Sequence, residues 1–333
     1  QYVWLACIIK NIPYISYNHT LTDQDYTWFK NTYPFYKYFL NTYYLNAARI
    51  VLVTERSLEN SLRRFPDVPL EKYVIVPNCI DFEQYNTKNK VKNINKFLLI
   101  SRLAEGKMPS IKNGIDLFVR YVDMSKDNNL ELDILGDGSC YNEVYEYVKN
   151  EKNLKYNIKL LGETSNVSEI MDKYDVVIGI GRCILEALAL KKIAILSGIE
   201  KMKGIITPKN IDRAMRCNFA GRLLKDTKKQ KVAKQLCNLK NNEIDEIIET
   251  NYRFIHNNLN IDEKVFLLEN EKVEYSHIDL LERMLIIQNN LLDDLKTTKA
   301  ISDDVWNQKE YLQNENNILK EENKRFKKYL NQK

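Results

Sequence analysis

Arg102 and Lys107 stand five positions apart at the end of the β-rich run "KFLLISRL" (96–103). An arginine can hold a phosphate with two parallel N–H donors, and a lysine acts on it as a compact point charge. Glycine turns close three further apolar runs: Gly136-Asp137-Gly138 after "LELDIL", Gly162-Glu163-Thr164 after "IKLL", and Gly179 to Gly181 after "DVVI". The last turn leads into "RCILEALAL", a helical stretch that carries one acid, Glu186. Glycine lets backbone come close to a ligand, and a helix N-terminus offers N–H groups and partial positive charge. Two cations after one strand, set against a glycine turn and a helix start after another, make a pocket suited to a diphosphate. Each feature alone is an ordinary surface or turn feature. The weight lies in their convergence.

That convergence depends on the elements behind them. From 96 onward short apolar runs alternate with helical stretches: "IKNGIDLFVRYVDMS" (111–125) places apolar residues at 111, 115, 118, 119 and 122, close to a 3.6-residue period, and "YNEVYEYVKN", "VSEIMDKY" and "CILEALAL" separate further strands. Repeated strand–turn–helix units predict a doubly wound parallel sheet, which binds ligands at the carboxyl ends of its strands. All four loops above then fall on one edge. The glycines at 179–181 are not a dinucleotide fingerprint, because that motif needs a third glycine where Ile184 stands and belongs after the first strand of its sheet.

The preceding stretch alternates too. "YVWLACII", "IPYISYNHT", "RIVLVTE" and "YVIVPNCID" read as strands, and "DYTWFKNTYPFYKYFLNTYYLNAA" (25–48) as an aromatic helix on their sheet or, alternatively, as an interfacial membrane contact. The expected organisation is a first α/β domain at 1–85, a Lys/Asn-rich linker at 86–96, a second domain at 97–225, a helical region completing it at 226–296, and a charged helix or weak coiled coil at 297–333. In that last segment Val305, Leu312, Leu319 and Phe326 are seven apart, but Gln308 and Glu315 occupy the intervening seam positions. Its expected use is self-association or pairing with a partner.

Composition bounds the alternatives. The chain has 333 residues, 44% of them hydrophobic, enough for one large core or two medium ones. Its 50 basic residues are dispersed among 45 acidic ones for a net charge of +5, which argues against a dedicated nucleic-acid binder. Six cysteines without a C-x-x-C pair and three histidines without ligand spacing predict reduced thiols in a cytoplasm and no metal site. The apolar runs are strand-sized, too short to span a bilayer.

The ordered set "PNCID" (77–81), "ISRLAEGK" (100–107), "LGDG" (135–138), "IKLLG" (158–162) and "GIGRCILEALALKK" (179–192) resembles the group-1, family 4 glycosyltransferases of the GT-B fold, over roughly residues 10–225. The resemblance implies two facing Rossmann-like domains with a helical C-terminal extension, and sugar transfer with retention from a nucleotide-diphosphate sugar, without metal or other cofactor. The expected acceptor is a cell-surface glycan, glycolipid or glycoprotein; a cytoplasmic location follows from the cysteine usage, and peripheral contact at the inner face of the membrane rests on the aromatic stretch 25–48. By the same resemblance Arg102 and Lys107 hold the donor diphosphate and stabilise it as it leaves, Glu186 contacts the nucleotide ribose, and Gly179 and Gly181 let the backbone approach the sugar phosphate. Gly136, Gly138 and Gly162 are further donor-site positions, and His19 stands where the family often has a histidine near the transferred sugar.

Two departures qualify the likeness. Ile178 occupies the place of the family's first acid, eight before Glu186, which usually grips donor-sugar hydroxyls. The family's opening strand–glycine loop–helix has no counterpart in the residues before the linker, so the first domain is expected to be incomplete. An alternative reading is therefore a catalytically impaired accessory subunit, and a third is an epimerase of the same fold.

Overall fold

The computed structural model describes residues 3–10, 12–18, 40, 43–127, 129–149, 156–265 and 299. The aromatic stretch is described only from 43 apart from Leu40, and the segment 297–333 with its heptad-spaced residues lies outside the described residues except for Lys299. So does His19.

Helix α1 (Val3–Ile9) precedes a three-stranded parallel sheet of β1 (Ile15–Asn18), β2 (Arg49–Leu52) and β3 (Tyr73–Ile75), in the order β1-β2-β3. The run "VWLACII" was expected as a strand and is a helix. A short continuous apolar run carries no period that separates the two, and here Ile8 is buried while Val3 is exposed, the one-sided burial of a helix on a core. Ile50, Val51 and Leu52 of the middle strand are fully buried, with Tyr44, Ala47 and Phe65 packed around Ile50 and Leu52. Helix α2 (Glu55–Arg64) starts at Thr54, whose side chain accepts the Ser57 N–H. Glu55 in its first turn and Arg63 and Arg64 in its last complement the helix dipole.

The second sheet has six strands: β4 (Lys96–Ile100), β5 (Glu131–Leu135), β6 (Asn157–Gly162), β7 (Val176–Gly179), β8 (Ile193–Leu196) and β9 (Gly204–Ile205). Their order is β6-β5-β4-β7-β8-β9, parallel except for β9. Between them run α3 (Met108–Ser125), α4 (Tyr141–Lys149), α5 (Val167–Met171) and α6 (Arg182–Ala189), followed by α7 (Ile211–Met215), α8 (Lys229–Asn238), α9 (Asn241–Leu259) and α10 (Asp262–Val265). Strand alternation divides the core: Phe97, Leu99, Val176 and Ile178 belong to the cluster that includes α3, whereas Leu98 and Val177 belong to the cluster that includes α6. With both faces covered, the central strand β4 is apolar from Phe97 to Ile100 and β7 from Val176 to Ile178. The chain leaves β4 toward β5 on one side and returns as β7 on the other. That reversal opens a crevice at the carboxyl ends of β4 and β7.

The segment between the sheets is held to the second one. Ile80 bridges Asn260 at the end of α9, and residues 87–89 are fixed by a buried ion pair. Lys192 Nζ donates to the carbonyls of Asn89 (2.7 Å) and Asp172 (2.6 Å) and meets the Asp172 carboxylate at 3.0 Å. That carboxylate also accepts Thr87 Oγ1 (2.7 Å), the Lys88 N–H (3.0 Å) and Asn89 Nδ2 (2.9 Å). Burial alone would raise the Asp172 carboxyl. The hydrogen bonds from Thr87 and Lys88 and the ammonium of Lys192 outweigh it and hold the group below its ordinary value.

Candidate active site

The end of β4 is fixed by its neighbour. Ser101 N–H donates to Leu135 O (3.2 Å) and Leu103 N–H to Asp137 O (2.9 Å), so the backbone that carries Arg102 continues to pair past the strand. Gly136 (φ +144) and Gly138 (φ +150) lie against it: a Cβ at either would collide with the carbonyl oxygen of Ser101 or Leu103. These glycines thus support the Arg102 backbone from behind. Gly162 is one step further out, its carbonyl accepting the Gly136 N–H at 2.8 Å. None of the three lines the crevice itself.

Lys107 directly precedes α3, with Pro109 in the first turn of the helix. That turn is tied across the sheet by two buried hydroxyls. Ser197, just after β8, donates from Oγ to Ser110 O (2.7 Å), so the 2.7 Å contact between the two Oγ atoms takes its proton from Ser110. The small cleft so formed is lined by Arg102, Lys107, Gly179 and Ile180, with Ile178, Ser110 and Ser197 also on its wall. Among the described residues, neither the Arg102 guanidinium nor the Lys107 ammonium has an ion-pair or hydrogen-bond partner.

On the other side, β7 ends at Gly179, and only Ile180 and Gly181 separate it from α6. Glycine is required at 179 because a Cβ would strike Cys183 Sγ and crowd Ile100 O at 3.0 Å. The first turn of α6 can therefore sit against the end of β4. Gly181 (φ +75) donates its N–H to Phe219 O (2.9 Å), and its own carbonyl accepts the Ile184 N–H. The N–H groups at the very start of α6 have no partner within the helix. Burial pushes the Cys183 thiol up to about 12, which disfavours its thiolate, and the thiol contacts the carbonyl of Ile180 at 3.4 Å.

Glu186 lies one turn further along α6, outside the lining of the cleft, with a side chain only 14% exposed. Arg182 Nε (2.8 Å) and the Tyr85 hydroxyl (3.0 Å) both donate to its Oε1. Arg182 is a site neighbour the motif reading passed over, although its i,i+4 spacing to Glu186 on a helix is a visible signal. Ile178 is fully buried within β7, in register with Leu99 and Ile195. A carboxylate at that position would sit in the apolar core under the cleft.

The two sheets meet through Asn218. Its side chain donates to Val53 O (3.1 Å), just past β2, and accepts the Asn78 N–H (3.2 Å). The next residue, Phe219, supplies the carbonyl that holds Gly181, so one turn touches both the first sheet and the glycine loop. Asn218 and Phe219 both have left-handed backbone (φ 49 and 54), an arrangement that only a well-determined surrounding sustains. Among the described residues no group of three or more His, Cys, Asp or Glu side chains could hold a metal ion.

No family model matches the chain, and no curated protein matches its sequence. Solved structures do. HepE of Anabaena in complex with UDP is 14% identical with a TM-score of 0.56, covering 80% of this chain and 73% of HepE. A glycosyltransferase from Rickettsia africae is 15% identical with a TM-score of 0.52, covering 80% and 78%. A mutant of S. aureus TarM in complex with fondaparinux, α-GlcNAc-glycerol and UDP is 18% identical with a TM-score of 0.50, covering 84% of this chain and 51% of TarM. The fold is of the GT-B type. Within that GT-B architecture the crevice between β4 and β7 belongs to the second Rossmann-like unit, and the chain spans about half the length of TarM. No helix among the described residues is long and apolar enough to cross a membrane.

Proposed function

We propose that the protein is a glycosyltransferase of the family 4 type, moving a sugar with retention from a nucleotide-diphosphate donor to a cell-surface glycan, glycolipid or glycoprotein. The observation that carries this reading is the pair of cations, Arg102 and Lys107, left without side-chain partners at the topological switch point of a GT-B sheet, beside the start of α6. As the bond from the sugar to the phosphate oxygen breaks, negative charge gathers on the departing diphosphate. Cations already in place stabilise that state more than the ground state. They supply the charge that a metal supplies elsewhere, so the reading calls for none. Glu186 takes the nucleotide ribose, and the turn at Gly179 and Gly181 receives the sugar phosphate. His19 near the transferred sugar is carried by the family resemblance alone.

UDP is the first nucleotide to test, because HepE was solved with UDP and with UDP-glucose, and the pneumococcal O-GlcNAc transferase GtfA, 19% identical, with UDP and GlcNAc. The buried Ile178 directs the search for the sugar contact away from β7 and toward the groups around the crevice mouth. The unpaired cations count against an accessory subunit, which has no use for them. The full chain, incubated with UDP-, GDP- and ADP-sugars, is expected to release nucleotide. If Arg102→Ala and Lys107→Ala release as much as the wild type, the assignment fails.

A further inference from the structure

Glu186 is held in an asymmetric way. Both of its protein donors, Arg182 Nε and the Tyr85 hydroxyl, fall on Oε1, and among the described residues Oε2 accepts no hydrogen bond. A carboxylate that is mostly buried, fixed through one oxygen and left open at the other, is oriented for a donor that the protein does not itself provide. Arg182 lies on the same helix as Glu186. Tyr85 does not: it comes from the segment joining the two sheets, 101 residues away in the chain.

That segment is rigid on both sides of Tyr85. Upstream, Ile80 exchanges backbone bonds with Leu259 (2.9 Å) and Ile261 (3.0 Å), and the Phe82 ring packs on Tyr252 and His256. The turn Phe82–Gln84 is capped by Asp81, whose carboxylate accepts the Glu83 N–H and Gln84 Nε2. Downstream, residues 87–89 are clamped by Asp172 and Lys192. Tyr85 is therefore delivered to Glu186 by backbone fastened at both ends to the second sheet and its helices. Burial, and then the charge of Glu186, raise the Tyr85 phenol above its ordinary value, so it is a proton donor across the working range of pH.

We infer that Tyr85 and Arg182 are positioning residues that hold Glu186 with Oε2 presented to vicinal hydroxyls of a bound nucleoside diphosphate. This rests on the donor site proposed above and extends it to the connecting segment. It separates two jobs: the cations at β4 take the diphosphate, and the Tyr85–Glu186–Arg182 set reads the ribose. The set is a discriminator. A bond to a charged acceptor that loses its donor hydroxyl leaves a carboxylate oxygen unsatisfied, which is felt as about tenfold or more in affinity.

The test measures dissociation constants of the full chain for UDP and for 2′,3′-dideoxy-UDP, in the wild type, Tyr85→Phe, Arg182→Ala and Arg182→Lys. The wild type is expected to prefer UDP by about tenfold or more. Tyr85→Phe, which keeps the ring and its packing, shrinks that preference while leaving dideoxy-UDP binding unchanged. Arg182→Ala does the same, and Arg182→Lys recovers part of it. A Tyr85→Phe protein with the wild-type preference overturns the inference, as does one that loses affinity for both ligands equally, the mark of a merely structural contact. Wild-type binding of both ligands with equal strength removes the ribose contact and the inference while the diphosphate site stands. Binding of neither removes the proposed function as well.

Discussion

At the carboxyl end of β4, Arg102 and Lys107 stand without side-chain partners among the described residues, whereas one turn into α6, past the end of β7, Glu186 is engaged by Arg182 and Tyr85. The same contrast appears deeper in the fold, where Lys192 and Asp172 satisfy one another and five groups of the connecting segment and its surroundings without exposing either side chain. A buried ion pair such as Lys192 with Asp172 depends on its partners for stability, and the fold does not depend on Arg102 and Lys107 in that way. The distinction is physical: a desolvated ion that loses its partner costs folding energy, while a solvated cation costs nothing to remove until something binds it.

This division can be broken by substitution. Lys192→Met leaves Asp172 buried and uncompensated, and is expected to lower unfolding stability by about 3–5 kcal/mol in urea titrations. An unchanged midpoint would remove the distinction at its strongest point. Arg102→Ala and Lys107→Ala are expected to do the opposite, cutting turnover by about 100- to 1000-fold while moving stability by less than about 0.5 kcal/mol. Gly136→Ala tests the support behind Arg102: its Cβ meets the Ser101 carbonyl, so the strand end must shift. We expect weaker diphosphate binding with uridine itself unaffected, read by competition.

Acid titration gives the smallest effect. The Asp172 carboxyl is depressed in the folded protein, so its contribution is fully present above the ordinary carboxylate range and is lost as pH falls through its lowered value. The acid limb of the stability profile should flatten in Asp172→Asn, whose remaining stability is lower at neutral pH. A profile of unchanged shape would show that the pair is not coupled to folding.

Much of this was legible in the order of the residues. The strands from β4 to β8 are short apolar runs closed by glycine or polar turns, so their edge, and with it Arg102, Lys107 and Gly179, follows from the parallel-sheet rule. Arg182 was visible as an i,i+4 partner of Glu186 and went unweighed. Tyr85 was not visible, because nothing local links it to a carboxylate in a distant helix. "VWLACII" misled because a seven-residue apolar run fits strand and helix alike. The turn glycines at 136 and 138 announce close approach without saying what approaches, and the backbone that follows β4, at Ser101 and Leu103, is what lies against them. Ile178 reads as a missing acid in the motif and as ordinary core in the strand, since its neighbours Leu99 and Ile195 are apolar and in register.

The central claim is that two unpartnered cations at the switch point are there for a diphosphate. Calorimetric titration of the full chain with UDP, GDP and ADP tests it most directly, in the wild type and in a protein carrying both Arg102→Ala and Lys107→Ala. Saturable one-to-one binding of at least one nucleotide by the wild type, weakened at least about tenfold in a variant that melts at the wild-type temperature, is the predicted result. Equal binding by the two proteins, or none by the wild type, would contradict it.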